Sequence, residues 1–101
     1  MEIRDWRKRL ESAIDADGRS RRRISLDSRM GPGYVHSILK EGKDPTIDSL
    51  VAICETLNIS LTKVLYGIEI SRETEEILTL VQDNPQQRQG ILQILRNSAS
   101  P

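Results

Sequence analysis

Every strong apolar pattern in this chain repeats at three or four residues, and no run alternates with period two for long enough to make a strand. The pattern therefore predicts an all-α fold. Ile3, Trp6, Leu10 and Ile14, with Ala13 beside them, predict a first helix from about Ile3 to Asp15, closed by Asp17-Gly18. Ser20 is placed to cap a second helix carrying Ile24 and Leu26, which Met30-Gly31-Pro32-Gly33 breaks. Pro32 suits the first position of a third helix, where its missing N–H costs nothing. That helix carries Tyr34, Val35, Ile38 and Leu39 and ends before Gly42. After the loop Lys43-Asp44-Pro45, Thr46 caps a fourth helix with Ile47, Leu50, Val51, Ile53, Cys54 and Leu57. This is the most apolar stretch and the expected centre of the core. Asn58 ends it, and Ser60 caps a short fifth helix with Leu61, Val64 and Leu65, stopped by Gly67.

Beyond Gly67 the style changes. Glu73, Glu75 and Glu76 load the first turns of a sixth helix, where acidic side chains suit the N-terminal dipole, although such a run is most often a solvated helix start. Its stripe is Ile77, Leu78, Leu80 and Val81. Asn84-Pro85 reads as a cap and first position of a seventh helix with Ile91, Leu92, Ile94 and Leu95, and the end from Asn97 to Pro101 is expected to fray. The division expected is 1–67 and 68–101.

Composition removes several function classes. The 101 residues hold 15 Lys+Arg and 15 Asp+Glu, so no global field draws the chain to a polyanion or a membrane, and any such attraction must be local. Aromatics are 3% with no Phe, too few for the stacking platforms that hold single strands. One Cys rules out an intramolecular disulfide and a Cys-based zinc cluster, and one His removes most metal sites and triads. Cys54 and Trp6 read as core residues, and His36 as a contact or surface group. No nucleophile–base pair, metal spacing or phosphate-cradling glycine loop is present, so neither an enzyme, a metal nor a cofactor is expected. No apolar run approaches the ~18 residues of a membrane span. Met1 to Asp5 lack the apolar stretch of a signal peptide, which makes a cytoplasmic location the expectation.

The segment SRRRISLDSRMGPGYVHSIL, Ser20 to Leu39, is two short helices and a tight turn before a core helix, the arrangement of a helix-turn-helix module. Ile24, Met30, Val35 and Ile38 occupy places that lock such helices at a steep angle, and Ser25 is small where they approach. From Arg19 to Arg29 the net charge is +4. Arginines at a helix start oppose its dipole and favour an anion there, so a phosphate on Arg21 and Arg22 beside Ser20 would relieve both penalties. The plain alternative is a solvated basic face.

At these residues, and on through Gly42-Lys43-Asp44-Pro45-Thr46, Ser49-Leu50 and Leu57-Asn58-Ile59-Ser60-Leu61, the chain resembles the phage-repressor-like (Cro-like, XRE-type) helix-turn-helix family over about residues 3 to 67. The resemblance implies a compact five-helix domain that binds double-stranded DNA, usually as a homodimer on an inverted repeat, and a role as a transcriptional regulator, a repressor first of all. It implies that the third helix enters the major groove N-terminus first. The family positions that touch base edges fall on Pro32, Gly33 and Ser37, with Tyr34 and His36 alongside. Pro32 and Gly33 offer no side-chain hydrogen bond, so readout rests on Tyr34, His36 and Ser37 with a share for DNA shape. Lys40 and Lys43 follow at places suited to phosphate. Tyr34 either contacts DNA or packs on Pro32. The sequence departs from the family at Arg29, where the turn usually has Gly and which either changes the turn or turns left-handed. It departs also at Ser28, usually apolar, and in Val35–Gly42, one residue longer than common versions. The chain ends too soon for the further domain of many larger repressors, and reads as either a complete short regulator or a piece of something longer.

The eight stripe residues of the last two helices are too apolar to stand in water, each being worth roughly 1.5–3 kcal/mol when buried. They either fold back on their own chain or pair with a second copy across a twofold axis, the latter favoured. Residues beyond Gly67 carry a net charge of −2 and would not face DNA. A second reading is an antitoxin-like or adaptor protein whose C-terminal helices grip a different protein partner.

Overall fold

Three hydroxyl side chains start three of the helices. Ser20 Oγ accepts the Arg23 amide at 3.0 Å, Thr46 Oγ1 the Ser49 amide at 3.1 Å and Ser71 Oγ the Thr74 amide at 3.2 Å. Each satisfies a donor that the first helical turn leaves unpaired. The computed structural model describes residues 2–99, and these form an all-α protein with no strand. In order come a 3-10 turn at Ile3–Asp5, α1 (Trp6–Asp17), α2 (Arg21–Asp27), α3 (Tyr34–Lys40), α4 (Ile47–Leu57), α5 (Leu61–Tyr66), α6 (Arg72–Asp83), a 3-10 turn at Pro85–Gln87 and α7 (Arg88–Ala99). The chain divides into two compact units, Met1–Glu69 and Ile70–Pro101. Left-handed residues end three helices, Gly18 after α1, Asn58 after α4 and Gly67 after α5.

In the first unit α4 is the central helix. It buries Leu50, Ile53, Cys54 and Leu57 against Leu10 and Ile14 of α1, Ile24 of α2, Val35 and Ile38 of α3 and Val64 of α5. Trp6, Ala13, Tyr34, Leu39, Ile59 and Leu61 pack around this cluster half-buried. Burial pushes the Cys54 thiol up to about 11, with Glu69 and Glu55 adding to the shift. A thiol held neutral inside a core is a poor nucleophile. A disulfide reagent at pH 7.5 is therefore expected to label Cys54 only after denaturant is added; prompt labelling of the folded chain would contradict this packing.

Arginine does much of the tying. Arg7 donates to the Ile38 carbonyl at 2.8 Å, Arg9 to the Val64 and Leu65 carbonyls at 2.6 Å, and Arg19 to the Thr56 carbonyl at 2.7 Å. Each closes carbonyls that a helix C-terminus leaves open. Arg19 also meets Asp17 at 2.6 Å and Asp27 at 3.2 Å, joining the ends of α1, α2 and α4. Its hydrogen bond holds the Asp17 carboxyl below the usual range, and the Lys40 hydrogen bond does the same for Glu11. Both carboxylates bind protons less readily folded than unfolded. The stability they contribute is present above about pH 4 and is lost as pH falls through their depressed values. Arg19→Gln should therefore lower the thermal midpoint at neutral pH and leave it falling less steeply below pH 4 than in the wild type.

Several expectations change at element ends. The first α-helix begins at Trp6, since residues 3–5 take a 3-10 turn, and it runs two residues past Asp15. Leu26 and Ile47 lie on the solvent sides of α2 and α4, and Met30 is only half-buried. Pro32 precedes α3 instead of starting it: the Gly31 carbonyl accepts the Tyr34 amide at 3.1 Å, with Pro32 and Gly33 inside the turn. Asn84 caps backwards, donating to the Leu80 carbonyl at 2.9 Å, so Pro85 opens a 3-10 turn and α7 starts at Arg88. The helix continues through Asn97 to Ala99, with Ser98 Oγ donating to the Ile94 carbonyl. The frayed end expected at residues 100 and 101 lies outside the described residues.

Candidate nucleic-acid interface

The α2–α3 unit is held by one serine. Ser25, fully buried on α2, accepts the Val35 amide on its Oγ at 3.0 Å and donates to the Arg21 carbonyl at 2.8 Å. Gly33, at the N-cap of α3, has no side chain to satisfy that amide, so α2 caps α3. The bond fixes where α3 starts relative to α2, and Ile24, Val35 and Ile38 fill the angle between them. Ser28 is polar for a similar reason: its buried hydroxyl donates to Thr56 Oγ1 at 2.9 Å, fastening the end of α2 to α4.

Arg29 makes the turn with φ 63°, in the left-handed region. A side chain there costs roughly 1–2 kcal/mol that glycine avoids. Arg29→Gly removes that strain at the cost of a looser unfolded chain, so a net gain of about 0.5–1 kcal/mol is expected in chemical denaturation. Equal or lower stability would contradict the strain.

The base-reading set is split by its surroundings. Pro32, Gly33 and His36 are exposed at the N-terminal end of α3. Ser37 is half-buried and donates to Glu41 Oε1 at 2.7 Å, so its hydroxyl is engaged within its own helix. Tyr34 packs half-buried on the core, with Lys43 Nζ 5.3 Å from its ring centroid.

The basic cluster is largely matched from within. Arg19 pairs with Asp17 and Asp27, Arg23 with Asp27 at 3.2 Å, and Arg21 with Glu11 at 3.2 Å. Lys40 joins the same Glu11 oxygen at 3.0 Å. Among the described residues Arg22, Arg29 and Lys43 are exposed and meet no carboxylate. Ser20 Oγ is occupied as an acceptor by the Arg23 amide, which leaves its proton to offer. The net +4 read from Arg19 to Arg29 thus overstates the local charge, because it leaves out Glu11 and Asp17, which α1 brings to Arg21 and Arg19. The sequence gives no local signal for Glu11, which meets Arg21 and Lys40 only once α1, α2 and α3 pack.

In the second unit none of Ile77, Leu78, Leu80, Val81, Ile91, Leu92, Ile94 and Leu95 is buried, and Ile94 is 65% exposed. Among the described residues no group of three or more His, Cys, Asp or Glu is placed to hold a metal, and no helix is long and apolar enough to cross a membrane. Comparison with protein-family models, with curated proteins and with solved structures found no match.

Proposed function

We propose that this chain binds double-stranded DNA and acts as a transcriptional regulator, a repressor first of all, as a homodimer on an inverted repeat. The supporting observation is the Ser25 bond to the Val35 amide. It sets α3 rigidly on α2 while Pro32, Gly33 and His36 remain uncovered at its leading end. In this reading residues 3 to 67 form a five-helix repressor-like domain whose α3 lies in the major groove. Arg22, Arg29 and Lys43 supply the first phosphate contacts because no carboxylate holds them, and Arg21, Lys40 and the Ser20 hydroxyl supply the next. Pro32 and Gly33 offer shape and apolar contact, His36 a ring nitrogen, and Ser37 a hydroxyl only after it leaves Glu41. Dimerisation is assigned to the uncovered stripes of α6 and α7.

Selection from a random duplex pool tests this reading. Two half-sites related by a dyad, their centres ~34 Å apart, are expected. A single asymmetric half-site would contradict the dimer, and unselected sequences would contradict specific recognition.

The exposure of six of the eight α6–α7 aliphatics, with Val81 and Ile91 half-buried, also favours a second reading, an antitoxin-like or adaptor protein whose C-terminal helices hold another protein. Light scattering separates the two: a dimer supports the regulator, and a stable monomer supports the missing partner.

A further inference from the structure

A cleft of about 120 Å³ lies between α1 and α3, lined by Arg7, Lys8, Glu11, Leu39 and Lys40. One carboxylate stands among its cations. Glu11 Oε2 receives Lys40 Nζ at 3.0 Å and Arg21 from the start of α2 at 3.2 Å. The other two cations differ. Arg7 is consumed by the Ile38 and Lys43 carbonyls and by Asp44, whereas Lys8 is exposed and meets no carboxylate among the described residues. The arrangement is that of an anion site already holding an anion, with the carboxylate of α1 where a phosphodiester oxygen would bridge α2 and α3. Glu11 is itself about one-third exposed, so an incoming anion can reach the same two cations.

We propose that Glu11 is a built-in competitor for the DNA backbone at the α1–α3 cleft, which takes one phosphodiester between Lys8, Arg21 and Lys40 against its opposition. The inference rests on the DNA-binding reading above and assigns to that site the residue that limits its affinity. Lys40 and Arg21 keep the carboxyl below its usual range, so Glu11 carries its full charge at neutral pH. Replacing the charge while keeping the shape releases two cations for phosphate. Because exposed ion pairs contribute little to stability, the replacement leaves the fold in place.

The test compares the wild-type chain, E11Q, K40Q and E11Q/K40Q on one labelled random-sequence duplex, with thermal melting of each to establish folding. E11Q is expected to bind several-fold tighter at low salt. It is also expected to lose about 3.5-fold more affinity than the wild type between about 50 and 200 mM salt, the effect of one further counterion with a log–log slope of about 0.9. K40Q should weaken wild-type binding, because Lys40 is one of its phosphate contacts, but should weaken E11Q binding more, because Glu11 no longer opposes that contact there. That non-additivity is the readout a purely structural Glu11 would not give. If the wild type binds and E11Q binds equally or more weakly at both salts, Glu11 positions its cations and the proposal is overturned alone. If neither chain binds the duplex at low salt, the proposal and the DNA-binding reading fall together.

Discussion

Ser25→Ala should lower the stability of the first unit by about 1–3 kcal/mol, because it leaves the buried Val35 amide without an acceptor. In a domain of this size each kcal/mol moves the thermal midpoint by roughly 4–8 °C, so a drop on the order of 10 °C is expected. The loss should not be confined to stability. With the α2 hydroxyl gone nothing caps α3, because Gly33 has no side chain and the turn before it contains Pro32. The amide protons of Tyr34 and Val35 should exchange with solvent faster than those of α4 in the same variant. Ser28→Ala is the comparison: it breaks a hydroxyl pair with Thr56, and Thr56 is only half-buried, so its effect should be smaller. Equal losses in the two variants, or none in Ser25→Ala, would show that the α2–α3 angle is set by aliphatic packing alone.

The second large effect concerns α6 and α7. Leu80→Asp with Leu95→Asp places a charge on each apolar stripe, at positions 55% and 59% exposed in the single chain. If the stripes join two copies, the variant should sediment as a monomer. It should also lose about 10²–10⁴ in affinity for a two-half-site duplex, since linking two modules raises apparent affinity by that factor without new contacts. Binding to an isolated half-site should be nearly unchanged, because neither residue lies in the first unit. A variant that stays dimeric, or a wild type that is monomeric at the same concentration, would assign the stripes another role.

The helical order was legible because apolar residues at three- and four-residue spacing must share one face, and α4, with the densest stripe, is indeed the centre of the core. Caps were legible where a hydroxyl serves its own helix, as at Ser20 and Thr46. They were not where the partner is remote. Ser25 reads as a small residue at a close approach, yet it works through an amide on the next helix. The arginines were the harder case. A sequence shows Arg7, Arg9 and Arg19 as charge, while the fold uses them to close helix C-termini and pairs Arg21, Arg23 and Lys40 with Glu11 and Asp27. Local counting of charge cannot see a carboxylate brought in by another helix. For the same reason Arg22, Arg29 and Lys43 gain importance only once the others are matched. The surroundings of Tyr34 were not legible either, because a ring at the first turn of α3 meets the core cluster and Lys43 only once the helices pack.

The most direct measurement is a titration of a labelled duplex with the full chain at about 50 mM salt, repeated at about 200 mM. Saturable binding is expected at the lower salt, weakening steeply at the higher, with a log–log slope reduced by about 0.9 for each of Arg22→Ala and Lys43→Ala, whose side chains meet no carboxylate. No complex at low salt, or a complex indifferent to both salt and these substitutions, would contradict DNA binding through this surface.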